Sequence, residues 1–257
     1  MDRPLLLKGP FFIMNTKDFL TLLAVSLLWG ASFLFLRLLV LDGLEPLQIV
    51  SIRMILAALF IAPFFIKKMK KHSFYEHGFS FLLIGMLNTA LPFTMFAYAS
   101  VSLGAGSLSI LQATVPILTA LILFTLYKGE FSYFKLSGVM IGFSGLFLLV
   151  GPSGNLDLFA SILCVAASLS YAIAGVYLAK TPARISNSFI GMGSIIVGAF
   201  LMAPFLLNYS NPFTTISATS WLYLTLLGVA NTSLAYVIFI KLITVSYTHL
   251  RAHETVR

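Results

Sequence analysis

Seven side chains stand out because each places a polar or aromatic group in an otherwise apolar stretch: Trp29, Arg53, Asn88, Gln112, Tyr171, Asn231 and Tyr236. One guanidinium, three amides, two phenols and an indole suit recognition by hydrogen bonding and stacking, and none is a nucleophile with a base beside it. They form the candidate substrate-binding set. Arg53 is the most constrained. At the helical rise per residue it lies about 10 Å along its segment from Pro46. Burying a cation at that depth costs at least about 2.5 kcal/mol. Arg53 must therefore face carbonyls, water or an anionic group, either as a clamp between helices or as the partner of a substrate carboxylate. Arg37, nearer the end of its segment, needs only snorkelling or pairing with Asp42 or Glu45.

Bond-breaking chemistry finds no support. His72, His77, His249 and His253 fall in loops or in the tail, and no Asp or Glu lies deep in an apolar segment. His249 and His253 have helical spacing but lack the glutamate of HExxH, so no metal site is expected. Gly104-Ala105-Gly106-Ser107 resembles a hydrolase loop without any accompanying base, and no GxxxxGK[ST] run is present to hold a nucleotide. Cys164 is the single cysteine, which excludes an intrachain disulfide. The expectation is a non-enzyme without catalytic residues or cofactors.

The elements that must position these groups are membrane helices. Hydrophobic residues make up 59% of the 257 and charged ones only 9%, and the apolar runs are about 20 residues long, enough to cross roughly 30 Å of hydrocarbon as helix. They lack the alternation of barrel strands. Eight spans are predicted: Phe19–Val40, Pro46–Ile66, Gly78–Ala99, Ala105–Tyr127, Phe134–Val150, Leu158–Leu178, Asn187–Leu206 and Trp221–Ile240. The fold class is all-α, a polytopic membrane helix bundle.

A net charge of +8 raises the possibility of nucleic acid. With the N-terminus inside, however, every lysine and arginine in the connections falls on the inner side, including the Lys67–Lys71 cluster and Lys128, Lys180 and Arg184. The outer connections carry Asp42, Glu45 and Asp157 instead. Topology explains the charge, and the expected partners are the lipid bilayer and a small-molecule substrate rather than nucleic acid.

The segments are also duplicated. GMLNTALPFTMF from Gly85 reappears as GVANTSLAYVIF from Gly228, an offset of 143 residues, and ALFIAPF from Ala58 returns as AFLMAPF from Ala199, an offset of 141. Asn231 and Thr232 are thus the mates of Asn88 and Thr89. Five spans in the first unit make the second enter from the opposite side, giving inverted repeats suited to alternating access around a mid-membrane site. The expected organisation is an inner N-terminal segment 1–17, a first repeat 18–151, a second, incomplete repeat 152–244 and a non-native tail 245–257. Met14 opens a natural-looking start, so Met1–Ile13 reads as an upstream extension. The repeat would place the natural end near position 293, two helices further on, and SYTHLRAHETVR resembles a translated sequencing-adapter tail.

Pro92 and Pro116 each remove a helix hydrogen bond, freeing the carbonyls of Asn88 and Gln112. These breaks and the amide pair Asn88/Asn231 would either line a cavity or hold the bundle by interhelical hydrogen bonds. Gly138-x-x-x-Gly142 invites close helix approach, and Glu130 is suited to ordering the inner loop before the fifth span.

Trp29-Gly30-x-x-Phe33, Arg53, Gln112-x-x-x-Pro116 and Gly129-Glu130 followed by Gly138 and Gly145 together resemble the EamA-type family of the drug/metabolite transporter superfamily. The resemblance covers most of Met14–Thr244. It implies ten helices in two five-helix repeats, about eight of them present here, and export of small metabolites, often amino acids or related compounds, across the bacterial inner membrane. A channel or a non-transporting scaffold is the alternative that the residues leave open.

Overall fold

The computed structural model describes residues 16–69, 71–126, 157–180, 187–209 and 216–239, with isolated positions between 137 and 148 and at 242. Among these residues there are helices and no strands. Seven helices are long and apolar enough to cross a membrane: Thr16–Leu41, Pro46–Lys67, Gly78–Ala99, Ala105–Leu126, Leu158–Lys180, Phe189–Asn208 and Ala218–Phe239. They coincide with seven of the eight predicted spans. The remaining span, 134–150, lies largely outside the described residues, as do Glu130, Arg184, the N-terminal segment before Thr16 and the tail. The spans keep their places in the predicted order below, so Leu158–Lys180 is the sixth.

Local chemistry explains where these helices begin. Pro46 occupies the first turn of the second span, where its missing N–H costs nothing, after Glu45 in extended conformation. Gly43, at φ +90°, turns the chain between the first two spans. Asp157 starts the sixth span by accepting from the Ala160 amide at 2.9 Å. That bond, with help from the Ser102 side chain, holds its carboxyl below the usual carboxylate range. The cap is fully present above the ordinary carboxylate pKa and is lost as pH falls through the lowered value. Ser217 caps the eighth span, accepting from the Ser220 amide at 3.0 Å.

The second and seventh spans pack along each other at the centre; the third lies on the sixth and seventh, the eighth on the first and second, and the fourth against the first and sixth. Side-chain contacts recur in mated pairs at offsets of 141 to 143 residues. Trp29 packs on Phe239 at 5.0 Å, and its mate Tyr171 on Phe96 at 6.3 Å. Phe35 stacks on Tyr223 at 5.6 Å, while their mates Tyr177 and Ser80 share a hydrogen bond of 2.8 Å. A Cβ on Gly85 would meet Val197 and the Ser194 carbonyl; one on Gly228 would meet Leu56 and the Arg53 carbonyl, the corresponding residues. Close approach is thus made at Gly85 and Gly228. At Gly138 and Gly142, where the sequence suggested it, a Cβ would have no described atom within 4 Å.

Both copies of the Asn-Thr motif sit in π-helical turns, Met86–Ala90 and Leu226–Leu234. In the third span the turn immediately precedes Pro92, and the Leu91 amide reaches back five residues to the Met86 carbonyl. Serines tie both turns to neighbouring spans: Ser170 of the sixth span donates to the Leu87 carbonyl of the first turn at 2.8 Å, and Ser233, within the second turn, donates to the Ala57 carbonyl of the second span at 2.7 Å.

At the end of the bundle carrying the turn 41–45, polar groups tie the elements together. Asp42 accepts from the hydroxyls of Ser217, at 3.1 Å, and Ser220, while Tyr209 donates to Glu45 at 3.0 Å. Of the two alternatives that the sequence left for Arg37, snorkelling or pairing with Asp42 or Glu45, the pairing is not made. Arg37 donates instead to the carbonyls of Ser100 and Val101, because the chain after the third span folds over it and the acids are engaged by the seventh and eighth spans. Burial first, and then the bond to Glu45, push the Tyr209 phenol up to about 12. The contact is fully present below the ordinary tyrosine pKa of 10.0 and is lost as pH rises toward about 12. Replacing Tyr209 by phenylalanine should therefore remove one high-pH component from an ultraviolet phenolate titration; an unchanged titration curve would contradict this placement. At the opposite end, Phe189 stacks on Phe65 at 4.7 Å and meets Phe81 edge-on at 5.4 Å.

Candidate functional site

A cavity of about 600 Å³ opens beside the break in the fourth span, lined by Ser26, Trp29, Ser109, Gln112, Ala113, Val115, Pro116 and Tyr171. Its shape follows from Pro116. The helix Ala105–Gln112 ends, Ala113 and Thr114 form a turn, and a new helix runs Val115–Leu126. The Thr114 and Ser168 hydroxyls donate to the Leu111 carbonyl, at 2.7 and 3.3 Å, compensating the interrupted ladder. Gln112 is therefore the last residue of a broken helix and borders the cavity. Polar groups at such breaks are common in membrane transport proteins.

Three of the seven sequence candidates, Trp29, Gln112 and Tyr171, share this cavity. Trp29 and Tyr171 are mates by the offset of the sequence echo, and each is backed by a phenylalanine, Phe239 and Phe96 respectively. Ser26 and Ser109 join the lining without having been singled out from sequence. Only their helical spacing from Trp29 and Gln112 could have indicated them.

Arg53 is not among the residues that line the cavity. It is 7% exposed. Its Nε donates to the Thr232 hydroxyl at 2.9 Å, and its guanidinium carbon sits 3.7 Å from the centre of the Phe93 ring. Thr232 in turn donates to the Leu227 carbonyl five residues back, so a π turn of the eighth span holds the arginine of the second. The mated contact is weaker: Thr89 approaches the Ser194 carbonyl at 3.5 Å.

The remaining candidates are not brought to the cavity wall. Asn231 is 2% exposed, and its Nδ2 is enclosed with no hydrogen-bond partner among the described residues. Asn88 is half-buried in the other π turn. Tyr236 points at the seventh span, where its hydroxyl lies against Gly191. Phe93 was missed from sequence, although as the repeat mate of Tyr236 it stands one helical turn beyond the Asn-Thr motif.

Residues 16–151, just over half of the chain, match the EamA-like transporter family. A protein of Archaeoglobus fulgidus named "Uncharacterized transporter" is 28% identical over 83% of this chain and 76% of its own length. The "Uncharacterized transporter YoaV" of Bacillus subtilis is 25% identical over 80% of this chain and 71% of its own. A solved structure titled "Crystal structure of protein" superposes with a TM-score of 0.59 over 88% of this chain and 79% of that one, at 14% identity, a likeness of fold. With its seven membrane-length helices, the chain belongs to the EamA-like transporter family and is a multi-pass membrane transporter.

Proposed function

We propose that the protein is a secondary transporter that moves a small polar metabolite by alternating access, in the export direction, across the bacterial inner membrane. The observation that carries this reading is the mated contact pattern at the cavity: Trp29, packed on Phe239, and Tyr171, packed on Phe96, both line it. It supports a first repeat, 18–151, and a second, 152–244, inverted in the membrane. Two halves with interchangeable contacts can exchange conformations around a site between them. Trp29, Gln112 and Tyr171 form the wall of that site, with Arg53, Asn88, Asn231 and Tyr236 supporting it from the surrounding helices. Proteoliposomes containing the protein should accumulate labelled substrate against its gradient by counterflow. Passive equilibration, or no uptake of any candidate metabolite, would defeat the carrier reading.

The N-terminus is assigned to the cytoplasm from the charge distribution of the connections. Val101 and Met69 are exposed near opposite ends of the bundle, and Cys164 is buried. On a Cys164→Ser background, cysteine at 101 should label from outside the cell and cysteine at 69 only from inside; the reverse result would invert the topology.

Coupling follows from what the spans lack. Every acidic residue of the chain lies near or beyond a span end, so no carboxylate is placed to relay protons through the middle of these helices. Collapse of the pH gradient at constant voltage should leave counterflow intact, and its abolition would point to a proton site elsewhere.

A further inference from the structure

The polar groups on the cavity wall are neutral and largely unspent. The Gln112 amide, the Tyr171 hydroxyl and the Ser26 hydroxyl all border the cavity, and none has a hydrogen-bond partner among the described residues. Ser109 donates to the Ala105 carbonyl at 2.9 Å and keeps its oxygen able to accept. Three helices bring these groups together. Ser26 lies one turn before Trp29 in the first span, Ser109 and Gln112 are one turn apart just before the break, and Tyr171 comes from the sixth span. Gln112 offers two N–H donors and a carbonyl acceptor in one plane, and each free hydroxyl can do either. The wall therefore suits a solute that carries both donors and acceptors.

No charged side chain joins this wall among the described residues. Arg53, the only buried charged residue among those described, is not part of the lining and is held by Thr232 and Phe93. The sequence from Leu136 to Leu156, which includes most of the fifth span, adds no charge. An ion entering at this depth would give up hydration without meeting a counter-charge, a loss larger than the attraction of a cation to an aromatic ring. A zwitterion would bring two such charges. A hydrocarbon would leave the Gln112 amide with neither water nor a partner. A neutral solute with an amide edge avoids both costs, and the rings of Trp29 and Tyr171 favour a flat apolar body beside that edge.

We propose that the cavity takes an uncharged, planar solute with an amide or lactam edge, for which the Gln112 amide is the main hydrogen-bonding partner. This rests on the cavity being the transport site. It separates the substrate from the amino acids that the family resemblance suggests.

The test is calorimetric titration of the purified wild-type chain with near-isosteric probes: benzamide, benzoate, benzamidinium, phenylglycine and acetophenone. Benzamide should bind at least about 10-fold more tightly than the three charged probes, which enter without a counter-charge. It should bind about 3- to 10-fold more tightly than acetophenone, which lacks the N–H donors. Gln112→Leu should bring benzamide down to the level of acetophenone. If that variant does not fold, the wild-type ranking decides alone. The chain has two tryptophans, so in a Trp221→Phe variant the fluorescence of Trp29 reports on the cavity itself and should change with benzamide over the same concentrations. Preference for a charged probe, equal binding of benzamide and acetophenone, binding that leaves Trp29 unaltered, or binding of no probe would each overturn the proposal. Counterflow separates it from the carrier reading. Exchange of a charged probe in preference to benzamide would leave the carrier standing without the neutral site, and tight binding of benzamide without exchange would leave the neutral site standing without the carrier.

Discussion

Replacing Asn231 by leucine is expected to make the protein more stable and much less active. The Asn231 side chain is buried in the π turn of the eighth span with Nδ2 enclosed and unpartnered among the described residues. Leaving a buried amide donor unsatisfied costs about 1 to 3 kcal/mol, and an apolar group of similar shape removes that cost. A group retained at such expense is what a functional site leaves behind in a resting conformation. Asn231→Leu should therefore raise the thermal midpoint in detergent while lowering counterflow by at least about 10-fold, the loss of one hydrogen bond to a substrate or a moving helix. A variant that melts earlier and transports normally would show that Asn231 serves the packing alone.

The largest structural effect is expected at Gly228. A Cβ there would sit 2.7 Å from the Arg53 carbonyl oxygen and 2.9 Å from the Leu56 Cβ, with the Ala57 amide nitrogen at 3.4 Å. Two of those three neighbours are backbone atoms of a helix and cannot rotate away. Gly228→Ala should cost about 3 kcal/mol, the upper end of ordinary overpacking, and Gly228→Val more, by forcing the second and eighth spans apart. The mate, Gly85, faces the Val197 side chain at 2.9 Å and the Ser194 carbonyl at 3.2 Å, so Gly85→Ala should cost less. Gly30→Ala, with nothing within 4 Å, serves as the control. Size-exclusion profiles after graded heating would rank the three, and equal profiles for Gly228→Ala and Gly30→Ala would refute the close approach.

Much of this architecture was legible because a membrane makes sequence explicit. Runs of apolar residues marked seven helices to within a few residues, and the GMLNTALPFTMF echo pointed to the mates that the contacts pair. Trp29, Gln112 and Tyr171, which line one cavity, stood out for the same reason: a polar or aromatic group in an apolar span has few places to go. What the sequence did not convey was direction around the helix axis. Tyr236 has the composition of a cavity residue, but the π turn ahead of it adds a residue to the helix, and its hydroxyl lies against Gly191. Arg37 was expected to snorkel or to pair with nearby Asp42 or Glu45, whereas the carbonyls it uses, Ser100 and Val101, are more than 60 residues away. Phe93 could not be singled out because a phenylalanine in a hydrophobic span carries no signal until the cation above it is known.

The mated contacts bear on the resting equilibrium. On the proposed alternating-access reading, each contact is replaced by its mirror contact when the halves exchange conformations, and wherever the mates are alike that exchange is close to isoenergetic. Ile55 and Ile196, Ala58 and Ala199, or Ala62 and Ala203, which line a common groove between the second and seventh spans, give neither state an advantage. The bias must come from pairs whose members differ: Arg53 against Ser194, Leu56 against Val197, Leu59 against Phe200 and Phe93 against Tyr236. On that proposed reading, making such a pair identical would move the balance between the two orientations without touching the cavity wall, and the broken symmetry of a few positions would act as the thermodynamic set point of the carrier.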